Sequence, residues 1–148
     1  MPEEQDTNYL RLVQRYIEFF NDPAATLEGF KSFYDEEVVW QEMPNRFAPT
    51  GRRLGYEEIL AEWQRGREYL AQQTYTLRTA VVSGNNAAIE IDCVGTLAQP
   101  LAGLPAGTQI GVRMAIFFRF HGGKIVGQTD YMCYDPIGES AMEAGEQR

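Results

Sequence analysis

Three short stretches carry acidic side chains that could do proton-transfer chemistry. In Gly122 to Pro136, GGKIVGQTDYMCYDP, a glycine pair makes a turn and Asp130 sits deep in the strand that follows. Side chains alternate faces along a strand, so Val126, Gln128, Asp130 and Met132 share one side, and Ile125, Gly127, Thr129 and Tyr131 the other. The strand before the turn, Gln109 to Phe120, is strongly apolar, which sets this hairpin in the body of the protein. A carboxylate there is costly unless paired, hydrogen-bonded or protonated, and that cost marks Asp130 for chemistry. In Glu37 to Met43, EVVWQEM, Val38, Trp40 and Glu42 lie on one face. In Ala87 to Leu97, Ile89, Ile91 and Cys93 make one face and Glu90, Asp92, Val94 and Thr96 the other. Alternation alone would turn the isoleucines inward and leave these acids in water. Acids gathered in an apolar pocket cannot all ionise, and a protonated acid beside an ionised one is what proton shuttling needs.

The elements that must position these groups can be read in order. Asp6 or Thr7 can cap a helix running to about Asn21, with Tyr9, Leu12, Val13, Tyr16, Ile17 and Phe20 at helical spacing. Asn21-Asp22-Pro23 ends it. Thr26 to Tyr34 reads as a short second helix capped by Thr26. A strand follows to Met43, then a loop from Asn45 to Gly55 that holds the dibasic Arg52-Arg53. Gly55 to about Gln72 is a third helix with Tyr56, Ile59, Leu60, Trp63 and Leu70 as its apolar stripe. Gln73 to Ser83 is a strand, Gly84-Asn85-Asn86 a turn, and Ala87 to Leu97 the next strand. Ala98 to Gln109 is a loop whose leucines suit a pocket rim. In the longest strand, Val112, Met114, Ile116, Phe118 and Phe120 share a face. His121, at the turn, reads as solvent-exposed. After Pro136 the tail is small and polar and is expected to fray or form one loose helical turn. Helices gathered ahead of antiparallel strands imply an α+β domain: a curved, mostly antiparallel sheet wrapped around the N-terminal helices, a cone with an internal pocket.

Composition narrows the rest. The 148 residues fit one domain, spanning 1–148 with 136–148 as the tail, and 44% hydrophobic and 12% aromatic content argues against disorder. A formal net charge of −8 disfavours nucleic acid and anionic membrane, which are held by clustered Lys and Arg. Cys93, Cys133 and one histidine form no ligand motif, so no metal and no cofactor is expected, and reduced thiols point to the cytoplasm. The first residues hold no apolar run that would read as a signal peptide, and no stretch approaches the ~20 apolar residues of a membrane helix.

From Asn8 to Pro136 the chain resembles the nuclear-transport-factor-like (cystatin-like cone) superfamily. Within it, the chain is similar to SnoaL-like polyketide cyclases, ketosteroid isomerases and limonene epoxide hydrolases. The resemblance rests on Tyr34-Asp35 through Trp40, the Gly111-to-Phe120 strand, and Gly123-Lys124-Ile125-Val126 followed by Asp130-Tyr131. In the epoxide hydrolases an aspartate on the last strand activates water and a second donates a proton, with an arginine linking them. The resemblance matches Asp130 to the first, Asp92 to the second and Met43-Pro44 to a Met-Pro. Trp40, Glu42 and Glu90 stand where that family has Tyr, Asn and Arg. This matching turns Glu90 and Asp92 inward, against the alternation, and we expect that orientation.

The expected cavity then carries Val94, Val112, Met114, Ile116 and Met132 on its wall, with Trp40 at one side and Tyr16, Phe20 and Trp63 from the helices. Its polar groups are Asp130, Asp92, Glu90, Glu42 and Gln128. The implied function is cofactor-free acid–base catalysis on a small apolar molecule such as a polyketide, steroid or terpenoid, of the isomerase or cyclase type. Asp130 is the base, and Asp92 or Glu42 the acid or hydrogen-bond donor. The alternatives are epoxide hydrolysis with Asp130 activating water, and a dimer that binds a small ligand without turnover. The outer sheet face would expose Ile89, Ile91, Ala115, Phe117, Ile125 and Tyr131 and suit a homodimer. If the isoleucines face in, that surface becomes a solvated charge lattice with Arg113 and Arg119.

Overall fold

A computed structural model describes residues 2–137, with the side chains of residues 2–7 left aside. Helix α1 spans Pro2–Asn21, α2 Leu27–Lys31 and α3 Tyr56–Tyr69. The strands are β1 Tyr34–Glu42, β2 Arg52–Leu54, β3 Leu70–Ser83, β4 Asn86–Leu97, β5 Gln109–His121 and β6 Lys124–Tyr134. Thr26 caps α2 as expected, its hydroxyl accepting from the Gly29 N–H at 3.1 Å. The first helix starts well before Asp6 and Thr7, so neither is its cap. The third helix ends at Tyr69 and not near Gln72 as expected, because Leu70 is already extended and pairs with Leu97. Most of the expected tail lies outside the described residues.

One six-stranded sheet has the order β2-β1-β6-β5-β4-β3. Every pairing is antiparallel except β1 with β6. The core is the inner face of the sheet closed by α1, whose Tyr9, Leu12, Val13, Tyr16 and Ile17 are buried against it. This is the α+β cone, with α1 as its plug. The β5 alternation holds throughout: Ile110, Val112, Met114, Ile116, Phe118 and Phe120 are all buried.

Strand β4 faces the other way from the expectation. Ile89, Ile91 and Cys93 are buried, opposite Ile116, Met114 and Val112 of β5, while Glu90, Asp92 and Val94 lie on the outer face. Simple alternation was the better guide, because burying the isoleucines removes apolar area from water that two carboxyls could not replace. Strand β6 departs in a second way. Phe120 pairs with Ile125 and Arg119 with Gly127, so Val126 is an extra residue and the strand changes phase there. This bulge brings Ile125 inward at 0% exposure on the same side as Gln128 and Asp130. The apolar outer face on which a sheet-to-sheet homodimer was expected therefore loses Ile89, Ile91 and Ile125 but keeps Phe117 and Tyr131, in edge contact, with Val81 in register with Phe117 through Ala88 and Val94 exposed further along β4. Around them runs a charge lattice, where Asp92 binds both Arg78, at 2.7 Å, and Arg113.

Candidate active site

The parallel pairing of β1 and β6 builds the site. Trp40 lies opposite Gln128 and Glu42 opposite Asp130, and residues opposed in register share a face. Four functional side chains thus form a two-by-two block on the inner surface. Glu42, Gln128 and Asp130 are the buried polar residues of the described chain, at 6%, 4% and 4% exposure.

Each is accounted for differently. Glu42 accepts from Arg52 through both oxygens, at 3.1 and 3.3 Å, and from Asn45 Nδ2 at 3.2 Å. Arg52 also reaches Glu62 on α3 at 2.9 Å. The short strand β2 exists to this end: its register sets Arg52 directly opposite Glu42. Gly51, at φ +71°, makes the turn just before it, where an added Cβ would lie 2.7 Å from the Glu42 carbonyl. Glu42 is thus an acceptor bound to a guanidinium, which fits poorly with the proton-donor role expected of it.

Asp130 has no such partner. Among the described residues no Lys or Arg makes an ion pair with it. Gln128 Nε2 donates to its Oδ1 at 3.0 Å. Behind Gln128 stand two buried tyrosines. Tyr34 Oη donates to Gln128 Oε1 at 2.8 Å, Gln128 Nε2 reaches Tyr16 Oη at 3.4 Å, and the two hydroxyls lie 3.2 Å apart. The Trp40 indole lies close enough to lower the carboxyl's pKa, yet Nε1 makes no full hydrogen bond and is the one buried side-chain polar atom without a partner among the described residues.

Burial pushes the Asp130 carboxyl up from 3.8 to about 7. Gln128 and Trp40 pull it back, and the charge of Glu42 raises it. Burial likewise drives Tyr16 and Tyr34 well above the usual phenol range, so both are neutral donors at neutral pH. The site therefore offers one acid poised between its two forms, embedded in neutral hydrogen-bonding groups.

A cavity of about 420 Å³ opens onto this block. Of the residues expected to line it, Asp130, Gln128, Glu42, Trp40, Tyr16, Phe20, Trp63, Val112, Met114, Ile116 and Met132 do so. Asp92, Glu90 and Val94 do not. They lie across the sheet, and Asp92 is held below the usual carboxylate range first by its hydrogen bond from Arg113 and then by Arg78. Sequence reasoning missed Tyr34, Arg52, Glu62, Tyr75 and Tyr134, all on the cavity wall. The strand pattern around Tyr34 was visible, but Arg52 sits in what reads as a loop. Leu101 and Ala102 bring the expected rim to the cavity, and the exposed Ala102 and Arg65 mark its open end. Buried Tyr34, Gln128 and Asp130 mark the closed end.

A family model for the SnoaL-like domain matches residues 13–128, and the chain belongs to that family. Among solved structures it is similar to IdmH of Streptomyces antibioticus, a proposed polyketide cyclase, at 21% identity and TM-score 0.69, covering 93% of this chain and 97% of that one. A SnoaL-like polyketide cyclase of Agrobacterium tumefaciens aligns at 14% identity and TM-score 0.64, covering 91% and 94%. An LEH-like epoxide hydrolase of M. tuberculosis aligns at 11% identity and TM-score 0.67, covering 86% and 84%. At such identities the likeness is one of fold. No curated protein matches the chain by sequence.

Proposed function

We propose that the cavity is the active site of a cofactor-free acid–base enzyme of the isomerase or cyclase type, acting on a small apolar molecule that carries a carbonyl group. Asp130 is the base. The observation that carries this reading is a carboxyl at the floor of an apolar cavity, free of any cationic partner among the described residues, with a pKa of about 7. A base is most useful when its pKa lies near the working pH, since it is then ionised often and still holds an abstracted proton. The aromatic and aliphatic wall supplies binding by burial and excludes bulk water. A polyketide, steroid or terpenoid skeleton has the apolar character such a wall selects.

The chemistry runs as follows. A substrate lies with an acidic C–H against the Asp130 carboxylate. The proton moves to Asp130, the C–H electron pair passes into the adjacent carbonyl, and an enolate or enol forms. Return of the proton to another carbon completes an isomerisation; attack of the enolate on a second carbonyl forms the new C–C bond, and the carbonyl oxygen, now an alkoxide, takes the proton back from Asp130 to complete a cyclisation. Of the two partner acids expected from sequence, Asp92 is on the wrong face to assist, and Glu42 is bound to Arg52. Epoxide hydrolysis by water activated at Asp130 is supported only by the shared position of the base, since its proton donor was to be Asp92.

The test uses 2-tetralone, a small apolar ketone with acidic α-hydrogens, incubated with the protein in D2O. Wild type is expected to speed α-deuteration over buffer, and Asp130→Asn to lose at least ~100-fold of that acceleration while keeping its fold. Deuteration by Asp130→Asn at the wild-type rate overturns the assignment. A ketone that binds both proteins and is deuterated by neither would leave a binding module.

A further inference from the structure

The hydrogen bonds around Gln128 form a directed ring beside Asp130. Tyr34 has one hydroxyl hydrogen, and it goes to Gln128 Oε1 at 2.8 Å. Tyr16 must then donate to Tyr34, across 3.2 Å. With its carbonyl oxygen occupied, the Gln128 amide has both hydrogens on the other side, toward Asp130 Oδ1 at 3.0 Å and Tyr16 Oη at 3.4 Å. The result is a closed circuit, Tyr16 to Tyr34 to Gln128 and back to Tyr16, with one spare N–H aimed at the acid. A glutamine alone could turn either end toward a carboxyl, and the two ends have opposite effects. The N–H stabilises the carboxylate; the carbonyl oxygen repels it and accepts from the protonated form.

We propose that Tyr34 is a positioning residue: its hydroxyl locks the Gln128 amide so that an N–H, and not the carbonyl oxygen, faces Asp130. Tyr34 thereby sets the basicity of a group it does not touch. The proposal rests on the reading of Asp130 as base for its functional meaning, though not for its geometry. Other groups facing Asp130 do not substitute for this lock. Tyr16 on α1, Tyr75 on β3 and Tyr134 on β6 are neutral phenols whose pKa values burial raises, to about 12 for Tyr134. Cys93 on β4 is a thiol pushed up by burial to about 11. Glu42 on β1 is tied to Arg52 on β2, which also holds Glu62 on α3, and β5 presents only Ile116 opposite Asp130.

The test is a ¹³C NMR titration of aspartate-labelled protein, with the Asp130 resonance assigned by its loss in Asp130→Asn. Tyr34→Phe is expected to move the Asp130 midpoint upward by about one pH unit, the worth of one hydrogen bond to the charged form. Tyr16→Phe leaves the Tyr34–Gln128 bond in place and is expected to titrate like wild type. Gln128→Leu removes the donor itself and also raises the midpoint. In the Gln128→Leu background, Tyr34→Phe should then add nothing, because the lock has nothing left to hold. An unchanged midpoint in Tyr34→Phe, or the same increment with Gln128 absent, overturns the proposal. Tetralone deuteration by the same variants separates this from the functional reading. A shifted midpoint in a protein with no exchange activity keeps the lock and removes the enzyme. Wild-type activity with an unshifted midpoint does the reverse.

Discussion

Asp130 and Asp92 sit on neighbouring parts of one sheet and have opposite surroundings. Asp92 lies on the outer face between Arg78 and Arg113 and is held below its ordinary pKa. Asp130 lies on the inner face, at 4% exposure, beside an amide and an indole and no cation, and is raised to about 7. The difference is not in the residue but in what faces it. A carboxylate given arginines becomes a permanent charge and a structural acceptor. One given only neutral donors and apolar walls stays switchable, which is the property a proton-transfer group needs.

The largest effect that could break the comparison is on activity. Asp130→Asn should lose at least ~100-fold in ketone α-deuteration, whereas Asp92→Asn should stay within about twofold of wild type, measured side by side. Equal losses would mean that the two faces do not differ functionally.

Next comes the pH dependence of stability. The Asp130 pKa is raised on folding, so the folded state binds a proton more tightly than the unfolded chain. Its stabilising contribution is full below about 3.8 and is lost as pH rises through about 7. Above that, the buried charge costs a few kcal/mol, roughly 4 at most. Asp130→Asn should therefore gain stability over wild type at pH 8 and little or none at pH 4, by urea unfolding. Asp92 is lowered, so its contribution is present above about 3.8 and fades as pH falls through its folded value. A difference for Asp130→Asn that does not change with pH would contradict the switchable carboxyl.

A third variant asks what happens when a paired acid loses its cation. Arg52→Met leaves Glu42 buried without its two guanidinium contacts and should cost about 2 kcal/mol in chemical denaturation, less than a fully buried pair because Arg52 is itself about one-third exposed. With the Glu42 charge uncompensated, Asp130 should also titrate higher, since that charge already raises it. An Asp130 midpoint that does not move would show that the two acids are not coupled. The smallest effect is on the outer lattice. Asp92→Asn should lower the melting temperature only slightly, and less so in high salt, where exposed pairs are screened.

Much of this was legible from residue types alone. The apolar alternation of β5 and the hairpin into β6 marked Asp130 as buried, and the Tyr16 and Phe20 stripe of α1 reached the cavity as its spacing implied. The facing of β4 was also legible, since Ile89 and Ile91 pointed inward by alternation. Matching Asp92 to a family acid turned that strand the wrong way. Other features had no local signal. The bulge at Val126 comes from pairing with β5, and nothing in the Ile125–Gly127 run announces it. Arg52 enters the site through a three-residue strand too short to read, and its partner Glu42 is ten residues upstream. The lock on Gln128 joins α1, β1 and β6, positions up to 112 residues apart, which no spacing along the chain could reveal.

The most direct test is the titration of Asp130 itself in the wild-type protein, followed through its side-chain carboxyl carbon. The account predicts a midpoint near 7, far above that of Asp92 in the same spectrum. A midpoint near 4, the value of an aspartate in water, would contradict it, since the floor of the cavity would then hold an ordinary fixed charge.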